Sequence, residues 1–180
     1  LTMLSYAIDH SIGAQSPYYY HLTNILLHLA NALVLYALLI RVAKNNIVAL
    51  FTALLFALHP MQSESVAWIA ERKTVLCAFF YLLAILQYTR HVAKPSLQKF
   101  TIVFLLSVAA MLSKGIAVVI PLSLIAVDIW LQRDMRQAKL WLEKLPLIVV
   151  SVLVGIVAIK AQAAGQFLGL HPEYTWWDSI

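Results

Sequence analysis

Residues 47–73 read IVALFTALLFALHPMQSESVAWIAERK. An apolar run, Ile47–Leu58, stops at His59-Pro60, and within fifteen residues the chain places a histidine, two carboxylates, an arginine and a lysine. At 1.5 Å per residue a run of 12–13 residues covers roughly 18–20 Å, against a hydrocarbon core of about 30 Å. A helix this short ending in charge reads as a membrane span whose far end opens into a recess. Charges at bilayer depth cost about 2.5–3.5 kcal/mol each unless they face water or a partner.

The rest of the chain supports a membrane setting. It has 180 residues, of which 62% are hydrophobic and 12% charged. Soluble domains carry about 25% charged residues. Apolar runs recur at Leu22–Ile40, Ile47–Leu58, Val75–Tyr88, Phe100–Leu112, Ile116–Leu131 and Leu145–Ala164. The expectation is an all-α, polytopic integral membrane bundle with about six transmembrane helices. Phe100–Leu112 is the second short run, and it stops at Ser113-Lys114-Gly115.

The net charge of +5 does not point to nucleic acid, because the basic residues sit between apolar runs, where they set topology. One set of alternate loops holds nine of them: Arg41, Lys44, Arg90, Lys94, Lys99, Arg133, Arg136, Lys139 and Lys144. The other holds four: Arg72, Lys73, Lys114 and Lys160. Positive charge collects on the cytoplasmic side. That places residues 1–21, the motif at 59–73, Lys114 and residues 165–180 on the outer face. The expected organisation is an outer loop remnant over 1–21, a bundle over 22–164 carrying the motif, and the start of an outer loop over 165–180. Trp176-Trp177 read there as an interfacial pair. The lone cysteine, Cys77, lies inside an apolar run and forms no internal disulfide. The chain starts at Leu1 without Met, and reads as a fragment cut at both ends.

Within the motif, Pro60 ends the preceding helix and Ser63 is a candidate N-cap for a new one. A helix from Glu64 sets Glu64, Trp68 and Arg72 on one face, with Glu71 beside that stripe and Lys73 pointing away. The bland reading is a solvated loop with local ion pairs; the adjoining short spans favour a cavity. In the first span His21, Asn24, His28 and Asn31 are spaced 3, 4, 3 and fall within one arc, so they face the bundle. His28 and Asn31 read as interhelical hydrogen bonds, whereas His21 and Asn24, nearer the outer end, read as cavity-lining. Lys114 is either a snorkelling lysine or an anion contact. Asp128 reads as structural, and Lys160 as snorkelling. No phosphate loop, Cys/His metal spacing or serine elbow is present.

The blocks LTMLSYAIDH, YYYHLTNILLHLANAL, HPMQSESVAWIAERKTVL and SKGIAVVIPLSLIAVDIWL, in that order, resemble the membrane half of the transmembrane-and-tetratricopeptide-repeat proteins. The wording is closer to the bacterial members. The resemblance covers most of residues 1–135; residues 136–180 match in character only. It implies a GT-C-like fold and O-mannosyltransferase chemistry on a periplasmic or lumenal face. It implies a polyprenyl-phosphate sugar as donor, and a protein or glycan hydroxyl as acceptor. It also implies a bacterial inner membrane, or the endoplasmic reticulum in a eukaryote. The family's catalytic acid belongs to the first outer loop, upstream of Leu1, and Asp9 is not a confident substitute. No 34-residue repeat is visible. The residues lend no support to a divalent metal or other cofactor.

Transfer from a lipid phosphate needs a carboxylate to activate the acceptor and cations to stabilise the departing phosphate. Arg72, Lys73 and Lys114 are the candidate lipid-phosphate contacts. His59, Glu64, Glu71, His21 and Asn24 are candidates for positioning donor or acceptor. Two other functions compete. One is a non-catalytic membrane anchor for a repeat domain. The other is a proton-relaying transporter, against which stand the absence of an inverted repeat and of paired broken helices.

Overall fold

A computed structural model describes residues 1–13 and 16–164. Among them the chain is helical throughout, with no strand. The elements are α1 (Thr2–Gly13), α2 (Pro17–Ala43), α3 (Asn46–Leu58), α4 (Gln62–Ala67), α5 (Arg72–Ala93), α6 (Leu97–Ser113), α7 (Ile120–Trp130) and α8 (Ala138–Ala164). Short 3-10 turns precede α5 at Ile69–Glu71 and α7 at Gly115–Val119. Trp176-Trp177 lies outside the described residues.

Local chemistry sets the boundaries. Lys44 closes α2 in the left-handed conformation (φ 54°), its N–H donating to the Ile40 carbonyl at 3.1 Å. Asn45 then caps α3, its Oδ1 accepting from the N–H groups of Ile47 (3.0 Å) and Val48 (3.2 Å). Pro17 and Pro121 stand in the first turns of α2 and α7, where the missing N–H costs nothing.

All six expected apolar segments are helices. Two of them, α2 and α8 over Ala138–Ala161, are long and apolar enough to cross a membrane, while α3, α6 and Gly115–Trp130 are shorter apolar helices. The surface is apolar in the way lipid requires. Phe51 is 70% exposed, Leu122 68% and Val157 66%. Exposed leucines and valines recur along α2, α3 and α8, a continuous oily exterior that a water-soluble monomer avoids. Inside, α5 packs on α6 and α2, with α7 and α8 completing the core around Tyr88, Val103, Ala110, Ile120, Leu124 and Leu147. Small buried residues, Ala84, Ser107 and Ala110, let the helices approach closely.

Three expectations change. Residues 2–13 form a helix, α1, and not a loop, because Ser5, Tyr6 and Asp9 all anchor it to the motif. α2 begins at Pro17, five residues before its apolar run. The helix expected from Glu64 through Arg72 is broken. α4 ends at Ala67, Trp68 is extended (φ −85°, ψ 115°), and α5 starts at Arg72. Ser63 does not cap it, since its hydroxyl donates back to the Pro60 carbonyl at 2.6 Å. Glu64, Trp68 and Arg72 therefore share no helix face.

Polar contacts define two ends. At the motif end, Tyr6 meets Ile69, Thr2 meets Ser113 and Lys114 meets Thr74. At the basic end, Trp130 meets Val42, Arg133 meets Tyr88 and His91 meets Glu143.

Candidate functional site

The break at Trp68 frees backbone carbonyls, and side chains from α1 and α2 take them up. The Asn24 amide donates to the carbonyls of Val66 (3.2 Å) and Trp68 (3.3 Å). The Tyr6 hydroxyl donates to the Ile69 carbonyl at 2.6 Å, and burial pushes its phenol upward, so it donates as neutral O–H. Asn24 Oδ1 accepts from Arg72 Nε at 2.8 Å. Asn24 is thus fully buried and fully engaged, a tie between helices and not a cavity wall. His28 Nε2 lies 3.0 Å from the Ala57 carbonyl, and Asn31 donates to the Val75 carbonyl at 2.9 Å. The polar stripe of α2 holds the motif in place.

Arg72 is fully buried. Its Nη1 pairs with the Asp9 carboxylate, its Nη2 donates to the Tyr20 carbonyl at 2.6 Å, and its guanidinium lies 4.7 Å from the Tyr6 ring centre. Thr23 Oγ1 donates to the other Asp9 oxygen at 2.9 Å. The partner of Arg72 is therefore a buried carboxylate 63 residues away in sequence. Asp9 is the sole formal charge in residues 1–21, and that isolation is the one signal of its role in the sequence.

The accessible cations lie one step further out. Glu71 bridges Lys73 (3.3 Å) and Lys114 (3.7 Å). Lys114 Nζ donates to Thr74 Oγ1 at 2.7 Å, and that hydroxyl donates in turn to Glu71. The Thr74 hydrogen bond first, with the two ammonium groups, holds the Glu71 carboxyl below the usual glutamate range. The side chains of Lys73 and Lys114 are 46% and 35% exposed, so both are partly open to solvent. The structure thus brings Glu71, Lys73 and Lys114 together from the end of the motif and the end of α6. Thr74 was not anticipated; its place one turn beyond Glu71 is the signal that finds it.

An open cavity of about 550 Å³ is lined by Tyr6, Tyr20, His21, Trp68 and Ala70; Glu71, Lys73 and Lys114 do not line it, and its link to them is the chain step from Ala70 to Glu71. That volume is within the range of small-molecule sites. His21 is part of its wall. His59 and Glu64 stay outside. His59 is exposed, its Nδ1 accepting from the Met61 N–H at 3.2 Å, and Glu64 is exposed on α4 with no side-chain partner among the described residues. No group of three His, Cys, Asp or Glu side chains is placed to hold a metal among the described residues.

At the basic end a buried network ties α5, α7 and α8. Asp128 accepts from the Tyr88 hydroxyl (2.8 Å) and Arg133 (3.1 Å) and pairs with Lys144. Glu143 pairs with His91 at 2.8 Å and Arg133 at 3.6 Å.

The class so defined is a helical membrane protein with a cavity and paired charges at one end. The relatives it resembles are glycosyltransferases. Over 91 residues, 50% of this chain, it is 42% identical to protein O-mannosyl-transferase TMTC1 of Mus musculus, covering 10% of that protein. Over 118 residues, 66% of this chain, it is 30% identical to protein O-mannosyl-transferase Tmtc1 of Drosophila melanogaster, covering 14%. Protein O-mannosyl-transferase TMTC2 of Mus musculus matches at 37% over 95 residues, 51% of this chain and 11% of that protein. The chain thus spans about a tenth of the length of these curated relatives. They are animal proteins, and the expected closeness to bacterial members finds no support among them. No family model matches the chain, and no solved structure matches it.

Proposed function

We propose that the chain is the membrane region of a GT-C-like glycosyltransferase. It transfers a sugar, in our reading mannose, from a polyprenyl-phosphate donor to an acceptor hydroxyl on the periplasmic or lumenal face. The activity for which the relatives are named supports the sugar transfer. The observation that carries the site is the pair of partly exposed lysines, Lys73 and Lys114, bridged by Glu71, which follows Ala70 in the wall of the cavity of Tyr6, His21 and Trp68.

In this reading the lipid phosphate meets Lys114 and Lys73, and displaces or shares Glu71. Arg72, expected at the phosphate, has the separate task of fixing Asp9 and the motif, because its donors are directed inward. The sugar occupies the cavity, with His21 within its wall. Lysines supply point charges that stabilise the departing phosphate, and the acid that activates the acceptor is contributed from outside this constellation.

A second reading, a non-catalytic anchor, draws on the same observation from the other side, since Glu71 already neutralises part of the cationic charge. Mannosyl transfer from polyprenyl-phosphate mannose by the protein in proteoliposomes separates the two. Transferase function predicts turnover that falls about 10²-fold in Lys114→Ala, the loss of one charge-stabilising donor. An anchor shows no turnover in either protein.

A further inference from the structure

At the basic end, opposite the site above, a cleft of about 590 Å³ opens between the α5–α6 connection and the start of α8. Its lining mixes the polar and charged Ser96, Arg133, Lys139 and Glu143 with the apolar Leu97, Phe100 and Leu142. The cleft is amphiphilic, and two of its apolar side chains are well exposed, Leu97 at 83% and Leu142 at 67%. Trp130 and Trp141 are exposed at the same end, as aromatic side chains at a membrane–water boundary are.

Of the charged groups that line the cleft, Arg133 and Glu143 pair with each other at 3.6 Å, and Lys139 is left over. The buried network beneath it is balanced, with Asp128 and Glu143 facing Arg133 and Lys144. The connections that flank the cleft add Lys94, Lys99 and Arg136, Lys99 donating to the Lys94 carbonyl at 2.9 Å, against one exposed carboxylate, Asp134, whose Oδ1 accepts from the Arg136 N–H at 3.1 Å. Lys139 has no side-chain partner among the described residues, and it sits in the first turn of α8, where the helix dipole favours an anion. Topology alone asks for basic residues somewhere in these loops; it does not ask for an amphiphilic cleft among them.

We infer that this cleft binds an anionic membrane phospholipid. The phosphodiester sits between Lys139 and the start of α8, and one acyl chain runs over Leu97, Phe100 and Leu142. The site is independent of the transferase reading and requires only that this end meets a bilayer.

The test is native mass spectrometry of the protein exchanged into an equimolar mixture of phosphatidylglycerol and phosphatidylcholine. The wild type retains phosphatidylglycerol preferentially. Lys139→Ala reduces that preference about fivefold, as expected for one basic residue at a membrane surface. Lys160→Ala, at the other end of α8, leaves it unchanged. Equal retention of both lipids by the wild type overturns the inference, and so does an unchanged preference in both Lys139→Ala and Lys139→Glu. Displacement of the retained lipid by millimolar inorganic phosphate also overturns it, by assigning the cleft to a soluble anion.

Discussion

The Nε–H of Arg72 donates to Oδ1 of Asn24 at 2.8 Å, while the amide of the same Asn24 holds the carbonyls of Val66 and Trp68. One side chain of α2 thereby satisfies both the interrupted backbone of the motif and the cation that follows it. Replacing Asn24 by Leu leaves the Val66 carbonyl and one guanidinium N–H without partners, while the Trp68 carbonyl keeps the Glu71 N–H at 3.0 Å. Each such group costs about 1–3 kcal/mol. Thermal unfolding in detergent is expected to show Asn24→Leu well below wild type, and Asn24→Asp, which keeps the acceptor but not the donors, in between.

Asp9 and Arg72 form a buried pair from elements far apart in sequence. Removing one partner strands a buried charge, at about 3–5 kcal/mol. Asp9→Asn and Arg72→Met are each expected to destabilise by that order in denaturant titrations. The double substitution is expected to cost less than the two single effects added together. Additive losses would show that the two side chains do not act as a pair.

Glu71 responds to acid. Its carboxyl lies below the ordinary glutamate value in the folded protein, chiefly through the Thr74 hydrogen bond. A carboxyl depressed by folding adds stability above its unfolded pKa, about 4.3, and loses it as pH falls through the folded value. The wild type therefore loses this contribution on acidification below about pH 4.3, and Glu71→Gln, which lacks it, shows a flatter melting temperature over the same interval. Thr74→Val is expected to narrow the interval by raising the Glu71 value. Melting curves between neutral pH and the acid limit decide this.

The two ends are expected on opposite sides of the membrane. The lone cysteine, Cys77, is buried and gives little background. Lys73→Cys and Lys139→Cys are expected to react with an impermeant maleimide from opposite faces of sealed vesicles. Labelling of both from one face would remove the six-span arrangement.

The polar stripe His21, Asn24, His28 and Asn31 was legible because helical periodicity is local and strict. The charged cluster was legible in part: Glu71, Lys73 and Lys114 stand where short apolar runs end, and chain order alone brings those ends together. The break at Trp68 was not legible. The spacing of Glu64, Trp68 and Arg72 suits a continuous helix, and what stabilises the interruption is remote, Asn24 from α2 and Tyr6 from α1. The role of Arg72 was hidden for the same reason. An arginine beside a lysine reads as a paired anion contact until the fold supplies Asp9 from 63 residues away.

The most direct measurement of the central claim is the affinity of the protein for polyprenyl phosphate in detergent micelles, compared among wild type, Lys114→Ala and Lys114→Arg. The predicted result is binding weakened about tenfold or more in Lys114→Ala, substantial recovery in Lys114→Arg, and unchanged binding in Lys160→Ala, in keeping with charge-assisted contacts worth about 1.5–3 kcal/mol. Equal affinity in wild type and Lys114→Ala would contradict the account.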